Sequence, residues 1–269
     1  MKTFKISFFV VLLVSGILIS GCSKDDTPNQ PAPQLPPESS FVMDFTGFDN
    51  PNDTTSSREI ASYQNWGYSY INVTVWHTLL KIGLAVPVAS FLESFKHEAV
   101  FHPDQENWTW SYNFVVGGVT HEAELTGFFL NDTINWEMRI TKANFYSDFL
   151  WYSGKSAFDR SGGYWILNEK PDSPNPILQI DWVYEGNSIG NIQYTNIKTG
   201  DAENGSYINY GTASGDLDRF YNLYFNSSAN LTEIEWNSID FHGRVKNAQH
   251  FGDQNWHCWD NTLQDIDCP

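Results

Sequence analysis

The chain has 269 residues and carries 32 acidic against 15 basic side chains, a formal charge of −17 at pH 7. That balance excludes nucleic acid as a partner, because phosphate backbones are held by clustered Lys and Arg. It equally excludes electrostatic docking on anionic lipid headgroups, and it is read as charge that keeps a protein in solution.

Met1, Lys2 and Lys5 open the chain with a short basic region, followed by an apolar run from Ile6 to Ile19. The run is shorter than the roughly 20 residues that a membrane span needs. It suits the apolar core of a secretory signal peptide, predicted here over residues 1–21. The run ends in Ile19-Ser20-Gly21-Cys22, which resembles the lipobox of bacterial lipoproteins. That resemblance implies a diacylglycerol on the Cys22 thiol and cleavage that leaves Cys22 as the first residue. Such a mature form keeps 13 basic and 32 acidic residues, a charge of −19. Two or more acyl chains hold a protein stably on a bilayer, so the membrane is the implied partner. The next residues, Ser23-Lys24-Asp25-Asp26, resemble the export tetrad of surface lipoproteins of Bacteroidota. They imply an outer-membrane protein at the cell surface, with the periplasmic face of the same membrane as the alternative.

Residues 22–40 read as the lipidated cysteine and a linker, because Pro28, Pro31, Pro33, Pro36 and Pro37 stand among polar neighbours and such segments extend as polyproline II. Residues 41–269 fit one β-rich domain without internal repeats. Asp49 to Ser57 reads as a polar loop. Leu79, Leu80, Gly83, Leu84, Pro87, Val88, Phe91, Leu92 and Phe95 then fall at helical spacing. Pro87 removes a backbone donor, so a kink or two abutting helices are expected there.

From Asn107 the period changes to two. Trp108, Trp110, Tyr112, Phe114 and Val116 alternate with other residues up to Gly117-Gly118, a dipeptide suited to a tight hairpin. That turn predicts Val116 opposite Val119, Phe114 opposite His121, Tyr112 opposite Ala123, Trp110 opposite Leu125 and Trp108 opposite Gly127. A second turn at Asn131-Asp132 predicts Phe129 opposite Ile134, Gly127 opposite Trp136, Leu125 opposite Met138 and Ala123 opposite Ile140. Both registers gather the apolar residues on one face. Gly127 falls between Trp108 and Trp136, where a larger side chain has no room. Further strands are predicted near 145–153, 164–168, 177–185, 189–197, 206–211, 219–226, 231–237 and 239–246, separated by Gly, Asn, Asp and Ser clusters. The expected fold is therefore all-β: a long antiparallel meander that closes or half-closes into a barrel, with an N-terminal helical element packed on it.

With Cys22 taken by lipid, Cys258 and Cys268 remain as a pair in an oxidising compartment, and a disulfide between them is expected. There is no CxxC redox motif. His97 and His102 stand five apart rather than four, which turns them about 140° from one another on a helix and does not suit one metal. Asp201-Ala202-Glu203-Asn204-Gly205 lacks the later bidentate acid of a calcium loop and reads as a turn. Gly186-Asn187-Ser188-Ile189-Gly190 has the G-x-S-x-G spacing, but it falls at the turn between the strand patterns 177–185 and 189–197 and not at the strand-to-helix turn that a nucleophile elbow needs. The sequence therefore names no catalytic residue, metal or cofactor, and the reading is a non-enzymatic binding protein.

Aromatic residues, 16% of the chain, are the positive signal, and they leave several readings open. The rings can simply fill a barrel core. If the barrel keeps a cavity, Trp108, Trp110, Tyr112, His121 and Trp136 line it and bind an apolar small molecule or lipid. In outline this is similar to lipocalins and to the helix-lidded half-barrels that carry lipids or lipoproteins across the periplasm, although no signature residue of either is present. Alternatively, Trp256 and Trp259, beside the expected disulfide, stack on a glycan, or the protein is a structural component of a surface complex.

Overall fold

Fourteen antiparallel strands follow one another in a single sheet whose spatial order is the chain order. The computed structural model describes residues 31–43, 45, 48, 64–186 and 188–269. The predicted signal peptide, Cys22 and the polar loop 49–57 lie outside the described residues. The strands are β1 (Val100–His102), β2 (Asn107–Val116), β3 (Val119–Leu130), β4 (Thr133–Lys142), β5 (Tyr146–Ala157), β6 (Gly162–Lys170) and β7 (Ser173–Glu185). They continue as β8 (Ser188–Asn196), β9 (Tyr207–Thr212), β10 (Arg219–Phe225), β11 (Asn230–Trp236), β12 (Gly243–Lys246), β13 (His257–Trp259) and β14 (Asp265–Ile266).

The meander expected from the alternation is present, residue for residue, in β2–β4. Trp108 pairs with Gly127, Trp110 with Leu125, Tyr112 with Ala123, Phe114 with His121 and Val116 with Val119. Gly127 also pairs with Trp136, Leu125 with Met138, Ala123 with Ile140 and Phe129 with Ile134. Gly117 and Gly118 take φ of 58° and 77°, the left-handed geometry of the hairpin turn whose twist matches its strands. A Cβ on Gly127 would stand 2.7 Å from Cζ3 of Trp136, so the glycine is required by close approach. The three strands not anticipated, β1, β13 and β14, have two or three residues each.

The sheet half-closes. β1 and β14 are its two ends and do not pair with each other. Register shifts at Met138/Arg139 and Ile140/Lys142 between β4 and β5, and at Leu167/Asn168 and Asn168/Lys170 between β6 and β7, bend the strands and add twist. The concave face carries a continuous cross-strand row of buried residues: Trp182, Ile192, Tyr210, Tyr221, Ile234 and Val245.

Two further layers fill the concavity. The first is formed by residues 31–43 with Phe45 and Phe48, which lie across the strands rather than joining them. Pro33 lies against Gly127 on β3, and Ser40 Oγ accepts a hydrogen bond of 3.3 Å from Trp165 Nε1 on β6. Tyr194 on β8 donates its hydroxyl to the Phe41 carbonyl at 3.0 Å and accepts from the Met43 amide at 2.8 Å. Phe45 stacks toward Tyr221 on β10, and Phe48 meets Trp236 and Trp259 edge-on. Pro33, Pro36, Pro37 and Ser40 are buried, so packed structure begins within the Pro-rich stretch read as linker.

The outer layer is a bent helix pair, α1 (Gln64–Gly83) and α2 (Ala85–Ser94). α1 packs on β12–β14 and α2 on β2, so the pair reaches from one end of the open sheet to the other. The expected interruption occurs, with a bend of 68°, but at Leu84 rather than at Pro87. Pro87 is the third residue of α2, inside the first turn, where backbone N–H groups have no intrahelical acceptor in any case. A short helix, α3 (Ala248–Phe251), precedes β13. Cys258 and Cys268 form the expected disulfide, with Cα atoms 5.2 Å apart.

Candidate functional site

The interior is filled with protein. Trp136, Trp165, Trp182, Trp236 and Trp259 are among the largest fully buried side chains, and Phe41 and Phe48 pack against Trp165, Trp236 and Trp259 beneath the helices. An apolar cleft of about 390 Å³ opens at the bend of the helix pair. Its floor is Phe41, Met43, Phe45 and Tyr194, and its walls are His77, Leu80, Leu84, Ala85 and Val88, with Lys81 at the rim.

Each wall has a local cause. The helix break turns Leu84 and Ala85 away from the axis of α1, so α2 cannot cover the segment continuously. Phe41 is fixed from three sides by Phe91, Tyr152 and Trp165, with ring centroids 5.4, 4.8 and 5.5 Å away. The Tyr194 hydroxyl has both its donor and acceptor roles used by the segment backbone, and burial raises its pKa well above the usual phenol value. The one charged group of the cleft is therefore Lys81, which is exposed, beside the half-buried imidazole of His77.

Trp110, Tyr112, His121 and Trp136, which the sequence proposed as lining, come together on β2–β4 and are buried. Trp110 and Trp136 lie 5.8 Å apart, and Trp136 Nε1 donates to Ser156 Oγ at 2.9 Å. The Tyr112 hydroxyl donates to the Ser90 carbonyl of α2 at 2.5 Å, and the Tyr112 ring stacks on His97. His121 lies on Phe114, with Nδ1 3.1 Å from the Val119 carbonyl. Burial lowers the His121 pKa, while the bond to Val119 opposes that shift. Trp108 is half-buried at the rim against Phe101. These side chains pack against one another and against α2, and none of the five borders the cleft.

The two C-terminal tryptophans part company. Trp259 is 1% exposed, and its Nε1 donates to the Phe241 carbonyl at 2.7 Å. Trp256 is half-buried on the other face of the sheet, with the Arg244 guanidinium 4.3 Å and the Lys246 ammonium 4.6 Å from its ring centre. Among the described residues, no group of three His, Cys, Asp or Glu side chains is placed to hold a metal ion.

The helix stripe in the sequence contained Leu80, Leu84 and Val88 but gave no sign that they border open space. Phe41, Met43, Phe45 and Tyr194 carried no such signal, since nothing in the sequence places the segment of the first three against the strand that holds Tyr194. The outward side of α1 is a second feature. Ile71, Val75, Leu79 and Ile82 are 56%, 50%, 60% and 74% exposed. Their spacing puts them on one face, whereas Trp66, Ser69 and Val73 are buried on the opposite face.

Compared with protein-family models, with curated proteins and with solved structures, the chain matches none.

Proposed function

We propose that this protein is a lipid-anchored lipoprotein of the outer membrane whose folded part binds the apolar chain of a small amphiphile, without catalysing a reaction. The observation that carries this reading is the cleft between Phe41–Phe45 and the helix bend. Its size lies in the range of small-molecule sites, its walls are apolar, and its single charge, Lys81, stands at the rim. An acyl chain would lie along Phe41, Leu84 and Val88, with an anionic head beside Lys81. Anchorage itself is inferred from the lipobox-like Ile19-Ser20-Gly21-Cys22.

The test is a titration of the mature chain carrying Cys22→Ser with a long-chain fatty acid bearing an anthroyloxy fluorophore. Saturable emission that Ala85→Trp abolishes and Lys81→Glu weakens is the expected result. Emission that does not saturate, or that Ala85→Trp leaves unchanged, would remove the cleft as the site. The glycan reading now rests on Trp256 alone, because the Trp259 ring is enclosed. Array binding that disappears in Trp256→Ala and persists in Ala85→Trp would favour it over the acyl-chain reading.

A further inference from the structure

We propose that the outward face of α1 lies on the lipid bilayer itself, with Ile71, Val75, Leu79 and Ile82 inserted at the interface. A helix on a protein surface ordinarily turns apolar side chains inward and polar ones outward. α1 departs from that pattern, because its inner face, with Asn65, Trp66, Ser69 and Val73 buried, is already used against β12–β14 and its outer face shows four branched aliphatic residues at half exposure or more. It is not a span, since no single helix is long and apolar enough, and the pair is bent by 68°.

Two observations favour a lipid surface over a protein partner. The first is the distribution of charge. The chain has 32 acids, yet none occurs from Ile60 through Leu92, so α1 itself brings no carboxylate to the headgroups. The second is the length of chain before the packed segment. Only the residues between Cys22 and Pro31 separate the anchoring cysteine from described structure. At about 3.3 Å per extended residue they reach roughly 30 Å, which holds the domain against the bilayer at high effective concentration. The proposal rests on the anchor reading for this second point. The contact is apolar, so it is compatible with the acidic remainder of the surface.

The intact lipidated protein, reconstituted in phosphatidylethanolamine–phosphatidylglycerol nanodiscs, gives the test. Cys22 would be acylated, and Cys258 and Cys268 are bridged, so a nitroxide reaches only an introduced cysteine. Leu79→Cys and Ile82→Cys are labelled in turn, with exposed Val115→Cys on β2 as the reference. Oxygen collisions severalfold above those at the reference, with nickel-chelate collisions severalfold below, are expected at both α1 positions. Labels as accessible to nickel as the reference overturn the docking while leaving the anchor intact. Labels shielded from both relaxants and broadened by one another overturn it in favour of a second copy on this face. A protein that does not co-migrate with the discs overturns docking and anchor together.

Discussion

Phe45 and His77 stack with ring centroids 4.7 Å apart and planes 10° from parallel. Phe45 belongs to the segment that crosses the sheet, and His77 to the helix laid over it. The pair therefore fastens two of the three layers at the edge of the cleft. The same segment is fastened to the sheet by Tyr194, 151 residues away from Met43.

Replacing Tyr194 by Phe keeps the ring and removes the hydroxyl that serves the Met43 amide and the Phe41 carbonyl. A buried backbone group left without its partner costs about 1–3 kcal/mol. Tyr194→Phe is expected to lower the urea midpoint accordingly and to accelerate hydrogen exchange at the Met43 amide. An unchanged Met43 exchange rate would show that the bond does not hold the segment down.

Gly127→Ala adds a methyl group 2.7 Å from the Trp136 ring and 3.2 Å from Cγ of Pro33. Trp136 is 1% exposed and cannot swing aside. Overpacking of this kind costs about 1–3 kcal/mol, read as a shift of the denaturation midpoint at constant m-value.

Trp259 and Trp256 separate core from surface within four residues. Trp259→Ala is expected to cost about 3–5 kcal/mol, as for other buried large aromatics. Trp256→Ala, on the outer face, loses two cation–π contacts and is expected to cost about 1–2 kcal/mol. Equal effects in parallel melts would contradict the assignment of the two faces.

His242 ties two turns together. Its Nε2 is 3.0 Å from Asp216 Oδ2 and its Nδ1 is 2.5 Å from Asp240 Oδ1. Burial alone would lower the imidazole pKa, but hydrogen bonds to the two carboxylates outweigh it and raise the pKa. The hydrogen bond to His242 lowers the Asp240 pKa. The raised histidine value stabilises the fold fully below the unfolded value of about 6.5 and loses that contribution as pH rises through the folded value. The lowered aspartate value contributes above its unfolded pKa and is lost as pH falls through the folded one. Melting temperature should therefore decline as pH rises from about 6.5 through the folded value of the histidine. His242→Gln should flatten that decline, with a small amplitude because Asp216 is 81% exposed.

The sheet was readable where alternation met short turns. Gly117-Gly118 and Asn131-Asp132 set the registers of β2–β4, since a slip by one residue would have turned Trp110 and Trp136 outward. The first half of α1 was not readable, because its polar residues look inward. Asn65 Nδ2 donates to the Cys258 carbonyl at 2.8 Å, Ser69 Oγ to the Asn65 carbonyl and Asn72 Nδ2 to the Tyr68 carbonyl. These bonds satisfy polar groups in place of water and erase the apolar period. The crossing segment was hidden for another reason. Its only alternation, Phe41, Met43 and Phe45, is too short to stand out beside the prolines before it, and it pairs with no strand but is packed by sheet below and helix above. The cleft depends on that segment, so its floor was invisible while part of its helical wall was not.

The crossing segment also bears on the order of folding. It precedes the sheet in the chain, yet its contacts extend through β13, with Phe48 against Trp259. A growing or exported chain presents Phe41, Met43, Phe45 and Phe48 long before the strands that enclose them exist. Contacts this distant in sequence make folding slow. The last two strands, drawn together by the Cys258–Cys268 bridge, are the ones that complete the enclosure. Newly made protein thus passes through an interval in which Phe41, Met43, Phe45 and Phe48 are bare, and the length of that interval is set by the arrival of the C-terminus.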